Sequence, residues 1–275
     1  MKKAGNLFWL ELKRTVGSAG FVLLILAVTT MCVLIPVTLD DGTSMNCLTA
    51  FFTMSGEAVR AGRTLNVGNT LWQIASGYFV MFTPMLVSIS VLPILCGEKE
   101  SGAFRFLLYR SGKKQQAVGI FLACVLCGGV LMAAGYLLFA GVLIVHSFAL
   151  SGSAGGMQVI KETGILILTK AAEVFTFGMM CAVWTYLTAV FVRNRYLLAS
   201  IPYLALWFLE RRANSMDFSS VTEHWWRRLY VQVFGGLVFS NLGYMFQTLA
   251  VYTVIGAGVV CLHLAMQKRR TDCGM

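Results

Sequence analysis

Long runs of residues without a charge divide this chain and limit its fold more than any other feature. They contain 25, 34, 46, 19, 14 and 39 residues, at positions 15–39, 64–97, 115–160, 174–192, 196–209 and 229–267. A helix needs about 20 apolar residues to cross the hydrocarbon core of a bilayer. The sequence therefore predicts an all-α, polytopic membrane protein.

The composition supports this prediction and argues against a soluble domain. Of the 275 residues, 57% are hydrophobic and 12% are charged, whereas a soluble domain has about 25% charged residues. A soluble fold of this size could not bury so much apolar surface. We expect one transmembrane domain over residues 1–275 with six spans, at about 17–38, 71–96, 117–145, 174–192, 196–210 and 246–267.

The fifth span is short for a crossing. Its 14 uncharged residues rise about 21 Å as a helix, against a hydrocarbon core of about 30 Å. Arg195 and Glu210 could extend their side chains to the two interfaces, and Pro202 could bend the helix. The Gly/Ser-rich segment 151–156, between spans three and four, is expected to be a flexible loop.

The basic residues predict the orientation of the chain. With six spans and both termini in the cytoplasm, 14 of the 22 Lys and Arg residues lie inside, and the inside carries the whole net charge of +10. Such an excess is the usual bias of cytoplasmic loops. No nucleic-acid-binding motif accompanies the charge, so we expect a multi-pass protein of a cell membrane, of bacterial type, and no nucleic-acid partner.

Two segments are expected at the membrane interfaces. Residues 6–15 alternate apolar and charged positions at helical spacing, which predicts an amphipathic helix on the inner leaflet. Residues 221–243 contain Trp225 and Trp226 followed by two arginines, residue types that favour the headgroup region. Their apolar continuation, 229–243, is either an outer re-entrant hairpin between spans five and six or a loop resting on the headgroups.

Motifs for chemistry within the chain are missing. No P-loop is present, because Gly112-Lys113 lacks the upstream glycine, and Cys124 and Cys127 form a single C-x-x-C without a second pair. We expect neither an enzyme nor a bound metal or cofactor. Lys170 and Glu173 are placed at the outer mouth of span four, which leaves the span cores uncharged and argues against an ion-driven carrier.

The loop after span two is the most informative segment. Glu98 and Glu100 precede Phe104, Leu107 and Leu108, which recur at helical spacing. Acidic residues are favoured at a helix start by the helix dipole. A short amphipathic helix here could dock to a cytoplasmic partner; the alternative is an ordinary solvated loop with orienting charges.

These residues resemble the corresponding loop of ABC-2-type transporter permeases, a family with the pattern E-x-E-x-G-T-hydrophobic-x-x-L-L. Glu98, Glu100, Gly102, Leu107 and Leu108 match that pattern, while Ala103 replaces the threonine. The family also has an N-terminal amphipathic helix, six spans, inside termini and a helical hairpin between spans five and six. The resemblance covers nearly the whole chain in pattern and about a dozen residues in motif.

The resemblance implies an exporter subunit that works with partners. Two permease chains would line a path in the bilayer, and two cytoplasmic ABC ATP-binding subunits would hold ATP and Mg²⁺. Glu98, Glu100 and Gly102 would couple to the ATPase, with Phe104 and Leu107 as apolar anchors. The expected substrate is apolar or amphipathic, such as a peptide, drug or lipid.

Other interpretations stay open. Four aromatic residues would either line a substrate path or pack helices together: Phe79, Phe82, Trp184 and Tyr186. The chain could instead be a non-transporting membrane scaffold or immunity protein. A lipid-modifying enzyme would need polar catalytic groups clustered at one membrane interface. One such cluster is present, but anchoring to lipid headgroups explains it equally well: Glu210, Arg211, Arg212, His224 and Arg228.

Overall fold

In the computed structural model, the described residues are almost all helical, apart from one pair of short strands and a few connecting residues. The described residues are 2–38, 44–53, 70, 78–100, 113–192, 194–214 and 242–272. Their elements, in chain order, are α1 Lys2–Val16, α2 Ala19–Leu34, β1 Pro36–Thr38, β2 Ser44–Asn46, α3 Cys47–Thr53, α4 Tyr78–Glu100, α5 Lys113–Phe191, α6 Arg195–Asn214 and α7 Leu242–Asp272. The α5 helix is central and contacts α1, α2, α4, α6 and α7.

Three helical segments of the described chain are long and apolar enough to cross a membrane: Lys114–Ala149, Thr163–Phe191 and Thr248–Met266. The bent pair formed by α1 and α2 is a fourth if it is counted as one span. These segments confirm a helical chain suited to several crossings. The predicted re-entrant hairpin at 229–243 lies mostly outside the described residues.

The α5 helix doubles back on itself. Gly128 and Gly178 are in contact, although 50 residues of straight helix would separate them by about 75 Å. The Tyr186 hydroxyl likewise donates to the Ala117 carbonyl at 3.4 Å. The midpoints of these pairs fall at residues 151–153, inside the segment expected to be a flexible loop. That expectation was right about the position of the reversal and wrong about its conformation, because the backbone stays helical throughout. We call Lys114–Ala149 the first limb and Thr163–Phe191 the second limb.

A sharp bend joins α1 to α2. The two helices meet at 63°, and Ser18 caps α2 by accepting a hydrogen bond from the Phe21 amide at 3.2 Å while its own hydroxyl donates to the Thr15 carbonyl at 2.7 Å. A helix therefore lies where the sequence predicted the N-terminal amphipathic helix. Its Glu11 and Leu12 are buried and its Trp9 is 66% exposed, so part of the charged face points into the protein.

The chain returns from α2 through a small hairpin. The strands β1 and β2 pair in antiparallel register, with Pro36 opposite Asn46, and α3 follows directly at Cys47. Cys32, in the last turn of α2, and Cys47 both lie in the apolar core. The hairpin thus holds α3 against the end of α2.

The α6 helix starts from a capped turn. The Asn194 side-chain oxygen accepts a hydrogen bond from the Tyr196 amide at 2.9 Å, a usual role for Asn at a helix start. The helix continues for 20 residues to Asn214, beyond the 14-residue apolar run. Tyr203 stacks on Phe82 of α4, with ring centroids 5.9 Å apart. The α6 helix is not among the candidate spans named above for the described residues.

Candidate functional site

The predicted coupling residues lie at the junction between α4 and α5. Glu98 and Glu100 fall in the last turn of α4, and their side-chain surroundings are outside what the structure describes. Gly102, Phe104 and Leu107 lie outside the described residues. The structure therefore locates two of the five positions on the backbone and tests none of their contacts.

Helix α4 packs closely against the two limbs of α5, at a helix crossing that contains glycines and hydroxyl groups. Gly128 and Gly178 face each other so closely that a Cβ on Gly128 would lie 2.8 Å from the Gly178 carbonyl and 2.9 Å from Val87 of α4. Next to this crossing, the hydroxyls of Ser88 and Thr185 are 2.8 Å apart. Small residues and interhelical hydroxyl bonds are what hold helices together in lipid.

Each of these two hydroxyls lies within hydrogen-bonding distance of two oxygen atoms. Ser88 Oγ also lies 2.7 Å from the Pro84 carbonyl, and Thr185 Oγ1 lies 2.9 Å from the Cys181 carbonyl. Each hydroxyl has one hydrogen. One therefore donates along its own helix while the other donates across the interface, which links α4 to the second limb by a directional bond.

An ion pair lies inside the second limb. Lys170 Nζ is 2.7 Å from Glu173 Oε2, and the two side chains are 8% and 5% exposed. The sequence placed them at the outer mouth of span four. The structure places both residues within the apolar helical segment Thr163–Phe191, and their depth in a bilayer stays a prediction. Burial removes water from both charged groups. The attraction between these two residues, three positions apart on one helix face, compensates for that loss.

A hydroxyl without a partner lies beside this pair. Tyr136, on the first limb, has no exposed surface, and its hydroxyl makes no hydrogen bond within the described part of the protein. Tyr136 lies eight residues after Gly128 and Lys170 lies eight residues before Gly178, so the contact between the two glycines places Tyr136 and Lys170 at the same level of the hairpin. The Gly135 carbonyl accepts the Thr29 hydroxyl at 3.1 Å, so α2 covers the site. We call Tyr136, Lys170 and Glu173 the polar site.

A second group of side chains gathers at the far end of the same hairpin. The Tyr186 ring makes an edge contact with Phe121 at 5.2 Å and stacks on His263 of α7 at 5.4 Å between centroids. A Cβ on Gly256 would lie 2.7 Å from the Phe121 ring. We call this end, defined by Ala117, Tyr186 and His263, the basic end, because lysines or arginines lie close to it in sequence: Lys114, Arg195 and Lys268.

The aromatic residues proposed to line a path make packing contacts instead. Trp184 donates its indole N–H to the Tyr252 hydroxyl at 2.9 Å, Phe82 stacks on Tyr203, and Tyr186 is 1% exposed. The side chain of Phe79 is outside the described part. These contacts favour the helix-packing alternative for the three that are described.

Six cysteines have side chains that the structure describes; all six are free, and five of them are buried. Within the described ranges, no three His, Cys, Asp or Glu side chains cluster as a metal site would require. Burial raises the pKa of the Cys47 thiol to about 11, which keeps this thiol protonated and unreactive at neutral pH.

Sequence reasoning missed Tyr136, Ser88, Thr185 and the glycine crossing. A hydroxyl or a glycine in an apolar run has no distinctive pattern until its partner on another helix is known. The one available signal was the opposite charges of Lys170 and Glu173 at helical spacing within an otherwise uncharged stretch.

Compared with known proteins, the chain matches no family model, no curated protein and no solved structure. The function proposed next therefore depends on the residues and contacts of this chain.

Proposed function

We propose that this chain is the membrane-spanning permease subunit of an ATP-driven ABC exporter of an apolar or amphipathic substrate. It crosses a cell membrane six times with both termini in the cytoplasm, and pairs with a second permease chain. ATP and Mg²⁺ bind to separate cytoplasmic subunits. The observation that carries the proposal is the pattern Glu98-Lys-Glu-Ser-Gly102 followed by Leu107 and Leu108, which begins in the last turn of the apolar helix α4.

The distribution of charge supports this orientation. The contacts of Tyr186 with Ala117 and with His263 gather the start of the first limb, the end of the second limb and the last part of α7. Basic residues are close in sequence to all three, as expected of a cytoplasmic face. The segment 101–112 starts from α4 and leads into the first limb, so it belongs to the same end.

The packing of α4 supports a mechanical link from that loop into the membrane. A push on Glu98–Leu108 would act on α4 and on the first limb at once, because the segment connects them. The glycine crossing and the Ser88–Thr185 bond then pass the movement to the second limb. Closely packed helices move as units between discrete arrangements.

Co-purification with an ATPase tests the proposal. The tagged chain is isolated in detergent from its native cells, and associated proteins are identified by mass spectrometry. We expect an ATPase with a Walker A motif, and we expect Glu100→Arg to lose it because charge reversal disrupts the docking loop. Glu57→Arg, in a loop assigned to the outer face, is the matched control and keeps the ATPase.

A chain that purifies alone, or an ATPase retained equally by Glu100→Arg, would contradict the coupling assignment. The scaffold or immunity interpretation would then take its place, since a scaffold tolerates both reversals.

A further inference from the structure

The polar site contains three polar groups whose burial among apolar helices is unfavourable. Two charges are buried in an apolar helix, at 6% and 4% exposure for Lys170 and Glu173, and the Tyr136 hydroxyl is fully buried and makes no hydrogen bond to any residue that the structure describes. Burying a hydroxyl without a hydrogen-bond partner is unfavourable, because the group loses its bonds to water and gains none in the protein. Ionisable residues within membrane helices usually mark a functional position.

We infer that Glu173 is a proton-binding site, and that its protonation exchanges the Lys170 ion pair for a hydrogen bond with Tyr136. In the state described, the carboxylate holds Lys170 at 2.7 Å. In the second state, the carboxylate takes up one proton from water and becomes a neutral carboxylic acid. That acid pairs with the tyrosine hydroxyl, and Lys170, still an ammonium ion, is released.

The polar site is so closely packed that a proton is the ligand that fits it. None of the three side chains is more than 8% exposed, so a substrate headgroup or a hydrated ion would need the helices to separate. A proton needs only a water molecule or two on its way in. The titratable groups that interact with the site are Lys170 on the same helix, Tyr136 on the first limb and, beyond Tyr136, Cys32 on α2.

Helix geometry gives the released lysine somewhere to go. Side chains on a helix tilt toward its N-terminus, which for the second limb is the end at Thr163. In the sequence, Lys161 and Glu162 mark the polar end of this stretch, and Lys170 lies eight residues beyond Glu162, a rise of about 12 Å, part of which a lysine stem can cover. The released ammonium group can thus extend toward the side we assign to the outside.

The consequence is a hairpin that responds to pH at the outer face. With Glu173 ionised, the second limb keeps both charges inside; with Glu173 protonated, the limb gains a bond to the first limb and loses the internal pair. Such a two-state element biased by one protonation is a known kind of switch. It goes beyond the proposed coupling to an ATPase and needs no partner.

Infrared difference spectroscopy tests this site on the purified full-length chain in lipid nanodiscs, as pH is lowered from about 8 to about 5. We expect a protonated-carboxyl band to appear reversibly, and Glu173→Gln to abolish it. Glu11→Gln is the matched control, because Glu11 is also buried, at 2% exposure, and this variant keeps the band. Tyr136→Phe keeps the band but shifts it, because the neutral acid has lost its hydrogen-bond partner.

Lys170→Met gives a further readout. It removes the cation that holds Glu173 ionised, so we expect the band to be present across the whole range. If Glu173→Gln fails to fold, as judged by circular dichroism, Glu173→Asp serves instead and moves the band without removing it. A band of unchanged size in Glu173→Gln, or of unchanged position in both Tyr136→Phe and Glu173→Asp, would overturn the inference. The sample holds no ATPase, so either result leaves the permease proposal standing on its own test.

Discussion

Polar residues in these helices satisfy their hydrogen bonds in two ways, depending on where they face. Exposed hydroxyls bond back along their own helix, as Thr30 does to Leu26, Thr169 to Ile165 and Thr253 to Leu249, at 2.7–2.8 Å. This arrangement suits a hydroxyl that faces lipid, where no water is available. Buried hydroxyls such as Ser88 also reach across to another helix.

The Ser88–Thr185 bond should make a measurable but small contribution. We predict that Ser88→Ala and Thr185→Val each lower the unfolding free energy, with a coupling energy of about 0.6 kcal/mol, the average found for such bonds between membrane helices. Reversible unfolding in mixed micelles, arranged as a double-mutant cycle, measures it. Additive effects of the two changes would show that the hydroxyls do not interact.

The α5 hairpin shows at the level of elements what the sequence could and could not predict. Uncharged runs and a Gly/Ser segment located both limbs and the reversal between them, because hydrophobicity and length alone determine a crossing. The pairing of Gly128 with Gly178, and of Tyr136 with the Lys170–Glu173 pair, depends on the register between limbs. No local pattern encodes that register, since many residues of an apolar helix are equally able to face a neighbour.

The close contact between Gly128 and Gly178 makes the packing register of the two α5 limbs sensitive to one added methyl group. We predict that Gly128→Ala destabilises the protein by about 1–3 kcal/mol, as overpacking does, because the new Cβ would lie 2.8 Å from a backbone carbonyl. Gly141→Ala, on the same limb, meets nothing within 4 Å and should be neutral or slightly stabilising, since alanine favours helix. Thermal unfolding of the two variants in the same detergent compares them. Equal melting temperatures would contradict a close crossing.

At the scale of the whole molecule, hydrophobicity predicts the architecture better than the function. The described chain has three or four segments fit to cross a membrane, and six remains the prediction from the charge distribution. The loop proposed to couple to an ATPase was predicted from residue types at fixed spacing, whereas the polar site required three helical segments to be assembled. Its two charges were visible in the sequence, but their burial was not.

Sidedness can be measured directly. We predict that a cysteine introduced for Ser111, before the first limb, is labelled by a membrane-impermeant maleimide only after permeabilisation of cells. One introduced for Ser153, in the reversal of α5, is labelled in intact cells, because the reversal faces outward in the proposed topology. The unmodified chain is the control for its own cysteines, most of which are buried. The opposite pattern would invert the orientation and remove the coupling loop from the cytoplasm.

The continuous reversal within α5 has a consequence for how the chain enters its membrane during synthesis. A lone helix bearing Lys170 and Glu173 would meet an insertion penalty of about 2.5–3.5 kcal/mol for each charge placed centrally. The first limb is made first and already carries Tyr136, and the helical reversal brings the second limb against it. If the two limbs leave the insertion machinery as one unit, the first limb covers the Lys170–Glu173 pair before that pair meets lipid, so Lys114–Phe191 is suited to enter the bilayer as a single insertion unit.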